Sequence, residues 1–140
     1  MKIQCPERPV NYLIYVIFLI IPIILIALYW YYRCHNRTYK DPLEISIISD
    51  FDGWSITHII FFMILGYNFP NTFILSIIIG ILWELCEYTL GKNRIPLLEE
   101  CYNLSTDKQD GNWWYAKWSD VLLNILGFLI GKAIHKYKTK

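Results

Sequence analysis

Residues 72–90 read TFILSIIIGILWELCEYTL, and the only charged residues in this stretch are Glu84 and Glu87. A largely apolar run of this length is long enough to cross the hydrocarbon core of a bilayer as a helix. A carboxylate inside such a helix costs roughly 3 kcal/mol unless it has a partner, so acids at this position mark a functional site. The stretch therefore predicts a membrane-spanning helix that carries a polar site.

The composition of the whole chain also indicates a membrane protein. Of its 140 residues, 55% are hydrophobic and only 18% are charged. A soluble domain of this size could not bury so much apolar surface, whereas a helical bundle in lipid does not need to bury it. We expect residues 1–140 to form one all-α, polytopic integral membrane domain, with membrane lipids as its surroundings and partners.

The charge balance argues against a nucleic-acid partner. The net charge is +1, and the basic residues form no long run apart from a short lysine-rich tail. Nucleic-acid binding usually requires a strong basic patch, so the tail is more simply interpreted as an anchor at the membrane surface. Its lysines are Lys132, Lys136, Lys138 and Lys140.

Hydropathy predicts four spans and one long polar loop. The first contains Pro22, is too long for the apolar core of a signal peptide, and ends in a belt of aromatic residues. The second is short, and a helix that begins near Ile45 is an alternative. Pro and Asn in residues 68–71 predict a tight turn, so the second and third spans form an antiparallel hairpin. The spans cover about 10–32, 54–67, 72–90 and 118–134, and the polar loop covers 91–117.

Five polar side chains fall at a similar depth if successive spans alternate in direction. At ~1.5 Å per helical residue, all five lie within roughly 10 Å of the interface that carries the first and third loops. Their helical positions also agree, because Glu84 and Glu87 are three residues apart on one face. The sequence thus predicts a shared site made of His58, Glu84, Glu87, Asp120 and Asn124.

Glycines are expected to let the helices approach each other closely beside this site. Gly80 precedes Glu84 by one turn, and Gly127 and Gly131 continue the helical stripe that begins at Asp120. Small residues at such positions allow the backbones of membrane helices to touch. The same interface is also predicted to collect the indole rings of Trp30, Trp54, Trp113, Trp114 and Trp118.

Three explanations fit a cluster of acids, an amide and an imidazole at low dielectric. Divalent calcium, manganese or magnesium prefers oxygen ligands and would neutralise the acids, whereas zinc would normally have more His or Cys. Alternatively, one acid is protonated and hydrogen-bonded to its partner. In the third explanation the polar groups only hold the helices together.

The cysteines and the basic residues leave the compartment and the orientation open. The spacing of Cys5, Cys34, Cys86 and Cys101 fits no zinc motif and does not fix a redox compartment. Two glycosylation acceptor patterns, at Asn36 and Asn103, fall on the same predicted side as the site but arise easily in an Asn-rich chain. Basic residues are nearly balanced between the two sides.

Two resemblances suggest a function. The order His58, then Trp83-Glu84-Leu85-Cys86-Glu87, then Trp113-Trp114 and Asp120 resembles the core of the eukaryotic base-exchange phosphatidylserine synthases. The final pattern, in which Asp120 is followed by Asn124, Gly127 and Gly131, is equally similar to VanZ-like membrane proteins and related small bacterial families. Together the resemblances cover roughly residues 50–131.

The synthase resemblance implies calcium-dependent exchange of phospholipid head groups, with acids that bind the metal and His58 as the acid or base. Tyr115 stands where those enzymes have an acid, and the segment before the Trp pair is longer here. Its candidate site residues are Glu99, Glu100, Asp110 and Asn112.

We therefore expect a transferase site in which His58, Glu84 and Asp120 are catalytic. Glu84, Glu87, Asp120 and Asn124 are the predicted ligands of a divalent cation, Ca²⁺ first and Mn²⁺ or Mg²⁺ as alternatives. A VanZ-like protein that binds a lipid without transforming it is the second hypothesis, and a structural or proton-conducting bundle is the third. A homo-oligomer is compatible with all three hypotheses.

Overall fold

The computed structural model describes residues 9–36, 40–49, 51–93, 101 and 113–139. This part of the chain is mostly helical and contains little strand. The long helices are α1 (Tyr12–His35), α2 (Gly53–Asn68), α3 (Phe73–Lys92) and α4 (Trp118–Lys138). Between α1 and α2 lie a 3-10 turn (Pro42–Glu44) and an antiparallel hairpin of β1 (Ser46–Ile48) and β2 (Phe51–Asp52).

Side-chain caps fix where the first two helices begin. Asn11 accepts a hydrogen bond from the backbone N–H of Ile14, and Asp52 accepts one from that of Ser55. Such caps satisfy backbone donors that have no partner inside the helix. The alternative helix start near Ile45 is wrong, because the β-hairpin occupies that segment and Asp52 caps α2. The predicted turn between α2 and α3 is confirmed.

Two of the helices are long and apolar enough to cross a membrane. They are α1 and α3, with mean hydropathies of 2.8 and 1.8 over their most apolar windows. Most large side chains of α1 point away from the rest of the chain, and Leu13 is 71% exposed. The other two predicted spans are less apolar or shorter: α2 has 16 residues, and α4 carries Asp120 and three lysines.

The four helices alternate in direction, which is the condition under which the five polar side chains were predicted to share a depth. The helices α2 and α4 are parallel, because Ser55 binds Asp120 near their first turns and Tyr67 binds His135 near their last turns. The helix α3 runs in the opposite direction, because Glu84, in its second half, accepts a hydrogen bond from the backbone N–H of Lys117, which directly precedes α4. The helix α1 begins beside the start of α3.

Glycines bring α2 and α4 into backbone contact. A Cβ atom at Gly131 would lie less than 3.0 Å from the carbonyl oxygen of Met63, and one at Gly127 would lie equally close to that of Ile59. A side chain at either position would therefore have to push the helices apart. The predicted glycine stripe is confirmed, and the α2/α4 pair is the most closely packed part of the described chain.

Two apolar clusters lie at opposite ends of the helices. The cluster away from the site contains Phe62, Leu65 and Phe128. The cluster at the site end is built on Trp113 and Trp114, with Trp30, Trp54 and Trp83 packed around them. Trp118, at the start of α4, lies at this end as predicted, but its side chain is 60% exposed and is not part of the cluster.

Candidate functional site

Three titratable side chains from three helices converge at the first turns of α2 and α4. His58 Nε2 lies 3.9 Å from Glu84 Oε1 and 3.9 Å from Asp120 Oδ2. The facing atoms all lie within 4.8 Å of one another, Glu84 and Asp120 are buried, and His58 is half-buried. One imidazole nitrogen and two carboxylates at this spacing could hold a divalent cation, or they could form an ion-paired triad around a protonated imidazole.

Asn124 fixes the orientation of the imidazole ring. Its Oδ1 lies 2.9 Å from His58 Nδ1. An amide oxygen only accepts hydrogen bonds, so Nδ1 carries the proton in this bond. In the neutral ring the lone pair then lies on Nε2, which is the atom that faces Glu84 and Asp120. This is the arrangement in which a histidine serves as a metal ligand or as a base.

Glu84 is completely buried, and only one of its oxygens has a hydrogen-bond donor. Oε2 accepts the backbone N–H of Lys117 at 2.9 Å. Oε1, the atom nearest to His58, has no hydrogen-bond partner among the described residues. Buried polar atoms are nearly always satisfied, so Oε1 is an acceptor at the centre of the cluster that a proton, a water molecule or a cation could occupy.

Asn124 contributes a second buried atom of this kind. Its Nδ2 has no hydrogen-bond partner within the described ranges. The amide group fits against α3 because residue 80 is glycine, since a Cβ atom there would lie 2.7 Å from Nδ2. The predicted role of Gly80 in close helix approach is thus confirmed, and the amide N–H group is available to an acceptor oxygen.

Asp120 is held in place by α2 and by the start of its own helix. Its Oδ1 accepts a hydrogen bond of 2.9 Å from Ser55 Oγ, which leaves Oδ2 directed at His58. The carboxylate lies in the first turn of α4, where the positive end of the helix dipole stabilises negative charge. The bond to Ser55 and the helix start therefore hold Asp120 with Oδ2 turned toward the cluster.

A second polar group supports the cluster from the segment before α4. Lys117 Nζ and Tyr115 Oη both donate to Asp52 Oδ2. Burial alone would raise the pKa of Asp52, but the hydrogen bonds from Lys117, the Ser55 N–H and Tyr115 outweigh it and hold this pKa below its ordinary value. Burial and the nearby charge of Asp52 raise the pKa of Tyr115. These bonds fix the backbone that donates to Glu84.

The sequence did not indicate a further buried acid, Asp41. Its carboxylate accepts hydrogen bonds from Tyr29 Oη, Trp54 Nε1, Trp113 Nε1 and the Leu43 N–H. It thereby joins α1, the start of α2 and the segment before α4. The sequence carried one indication of this position, because Asp41 lies between the aromatic belt at the end of the first span and the proline at residue 42.

An apolar cavity of about 270 Å³ opens beside the cluster. It lies between α1, α2 and α3, and its polar lining comes from Thr57, His58 and Glu87, with Asn124 of α4. Because His58 belongs to both, the cavity and the cluster are continuous. Its apolar walls include Leu19, Pro22, Ile23, Ile26, Phe61, Phe62, Ile79 and Trp83.

The predicted site residues occupy three different positions. His58, Glu84 and Asp120 meet directly, and Asn124 joins them through the imidazole. Glu87 lies outside this close group and lines the cavity. Tyr115, at the position where the synthases have an acid, binds Asp52. The remaining candidates, Glu99, Glu100, Asp110 and Asn112, lie outside the described residues.

No model of a known protein family matches the chain, and neither does any curated protein or any solved structure. The geometry of the site and of the adjacent cavity is therefore the basis for a functional proposal.

Proposed function

We propose that the chain is an integral membrane protein of four spanning helices that exchanges the head groups of phospholipids at a site that requires a divalent cation. The observation that carries the proposal is the direct contact between the polar cluster and the apolar cavity. A phospholipid has the same two parts, a charged head group and apolar chains, in the same order. The exposed apolar surfaces of α1 and α3 support membrane insertion.

The cation would be held by Glu84 Oε1 and Asp120 Oδ2. These oxygens face each other beside His58 Nε2, and Glu84 Oε1 lacks a hydrogen-bond partner within the described chain. Carboxylate oxygens favour calcium, magnesium or manganese, and His58 Nε2 would stay free of the cation to serve as the base. When bound, such a cation would polarise a phosphoryl oxygen and neutralise its developing charge.

The lipid would enter through the apolar cavity. One acyl chain would lie between α1, α2 and α3, and the head group would lie against His58 and Glu87. The free N–H of Asn124 would donate to an ester or phosphate oxygen, which would satisfy a buried donor that otherwise has no hydrogen-bond partner in the described chain. This arrangement would hold the phosphodiester beside the cluster.

Exchange requires an alcohol to attack the phosphorus as the original head-group alcohol leaves. His58 would take the proton of the incoming hydroxyl and return it to the leaving oxygen, so no net proton is consumed. Asn124 would keep the lone pair of Nε2 turned toward the reacting groups. The burial of Glu84 and Asp120 would limit competing attack by water.

The test is incorporation of labelled serine into phospholipid by purified protein. Liposomes of mixed phosphatidylcholine and phosphatidylethanolamine would contain the protein, with calcium, manganese or magnesium supplied separately. We expect incorporation that depends on the cation and falls at least about 100-fold in Glu84→Gln. A removed transition-state interaction of about 2.7 kcal/mol corresponds to this loss. A smaller loss is expected for Glu87→Gln, which removes a carboxylate from the cavity.

Two other results would replace the proposal. A folded protein that binds phospholipid saturably, with no product under any cation, would be a lipid-binding protein of the VanZ-like kind, which the cavity alone would support. A protein that neither binds lipid nor responds to cations, and in which Glu84→Gln only lowers stability, would contain a structural ion-paired triad.

A further inference from the structure

A disulfide lies at the same end of the molecule as the candidate site. It joins Cys34, in the last turn of α1, to Cys101, in the segment between α3 and α4. The two Cα atoms are 4.7 Å apart, which is within the range for a disulfide, although the residues are 67 positions apart in the sequence. The sequence alone did not indicate this pairing.

Such a bond restricts the compartment in which this end of the protein matures. Two thiols lose two protons and two electrons to form it, and a protein disulfide of the oxidising compartment accepts them and becomes a dithiol. Disulfides persist in secretory, extracellular and periplasmic spaces and are rare in the cytosol. We propose that the end bearing His58, Glu84 and Asp120 faces the oxidising, non-cytosolic side of the membrane.

The charge at the opposite end agrees with this orientation. There α4 exposes Lys132, Lys136 and Lys138, and no acid lies in residues 9–15, 67–75 or 131–139. Lysines near the ends of spans favour the cytosolic side. At the site end Arg33 is buried and Lys117 is bound to Asp52, whereas Lys40 and Lys92 are exposed. The overall count of basic residues does not separate the two sides, but the exposed lysines of α4 lie at an end where the described residues include no acid.

The orientation deepens the proposed function, on which it rests for membrane insertion and for the substrate. The lipid would be drawn from the non-cytosolic leaflet, and the incoming alcohol would come from the compartment that this leaflet faces. Weak calcium sites, with dissociation constants on the order of 10⁻⁴–10⁻³ M, are typical of extracellular modules. A site with two carboxylate ligands, Glu84 and Asp120, would thus be filled by calcium on this side.

Thiol labelling of the full chain tests the orientation. Cys5 and Cys86 would be replaced by Ser, while Cys34 and Cys101 remain. One reporter cysteine would then be added at an exposed position, either Asn93→Cys at the site end or Lys136→Cys at the opposite end. Bacterial spheroplasts would be treated with a membrane-impermeant maleimide before and after permeabilisation, and detergent chromatography would confirm that each variant is monodisperse.

We expect Asn93→Cys to react in intact spheroplasts at least about 10-fold more than Lys136→Cys, which should react only after permeabilisation. Without a reporter, the denatured protein should show two reactive thiols only after reduction. The reverse labelling pattern, equal labelling of both reporters, or free thiols at Cys34 and Cys101 would each overturn the proposal. Labelling needs no turnover. A protein that shows the expected labelling pattern but incorporates no serine would therefore contradict the head-group reaction and still support the orientation.

Discussion

The α2/α4 pair and the α1/α3 flank differ in how their helices are held together. Between α2 and α4, glycines bring the backbones into contact and leave no space. On the other side, α1 and α3 stand away from α2 and enclose the cavity. Close packing fixes His58 relative to Asp120 and Asn124, while the looser flank leaves room for an amphiphile. The close α2/α4 packing thus holds the polar cluster on rigid elements, as a preorganised site needs, and the cavity lies directly beside it.

The flank is expected to depend on its disulfide. The Cys34→Ser, Cys101→Ser double variant opens a loop of 67 residues, so the free energy of unfolding should fall by about 4 kcal/mol. Thermal unfolding in detergent, with and without reductant, measures the change. Cys86→Ser, at an exposed free cysteine, is the control and should have little effect. Equal stability of the double variant would mean that packing alone holds α1.

The packed pair is expected to be sensitive to single methyl groups. Gly131→Ala places a Cβ atom against the backbone of Met63, so we expect a loss of about 3 kcal/mol as the helices separate. Ala133→Val is the matched control, because Ala133 is exposed on the same helix and has room for the larger side chain. If both variants unfold at the wild-type temperature, the α2/α4 contact is not as close as described.

Filling the cavity should change function more than stability. Thr57 lines the cavity on α2, so Thr57→Phe should reduce lipid binding and serine incorporation at least about 10-fold, or about 1.4 kcal/mol. Ile60→Phe introduces the same ring on the exposed face of α2 and should leave both unchanged. Wild-type binding by Thr57→Phe would show that the lipid enters elsewhere.

The smallest expected effect concerns pH and the segment that supports Glu84. The pKa of Asp52 in the folded protein lies below its ordinary value, so its ionised form contributes stability above that ordinary pKa. This contribution is lost as the pH falls through the lowered pKa. Unfolding curves between pH 5 and pH 3 should therefore show a weaker decline for Asp52→Asn than for the wild type. Parallel declines would contradict this role.

Much of the fold and the centre of the site could be predicted from the sequence. The length of the apolar runs predicted the helices, and the proline in residues 68–71 predicted the turn of the hairpin between α2 and α3. The depth of each residue in its span and its position around the helix together predicted that His58 meets Glu84, Asp120 and Asn124. This prediction was possible because helices have a fixed rise and period. The contacts at the centre of the site therefore follow from the regular geometry of the helices.

The features that were missed depend on contacts between segments without such regularity. The Cys34–Cys101 bond and the hydrogen bonds to Asp41 join loops whose paths no periodic pattern determines. The β-hairpin before α2 was also missed, since its strands have only three and two residues. Glu87 lies outside the close cluster because three residues along a helix move a side chain by about 4.5 Å along the axis and about 60° around it.

The most direct test is whether Glu84 and Asp120, beside His58, bind a divalent cation. Titration of the purified protein with Mn²⁺, followed by electron paramagnetic resonance and by calorimetry, would count the bound ions and measure their affinity. We expect one ion per chain that calcium displaces, at least about 10-fold weaker binding in Asp120→Asn, and folding of that variant as judged by chromatography. Absence of binding by the folded wild-type protein, or equal binding by wild type and Asp120→Asn, would contradict this expectation.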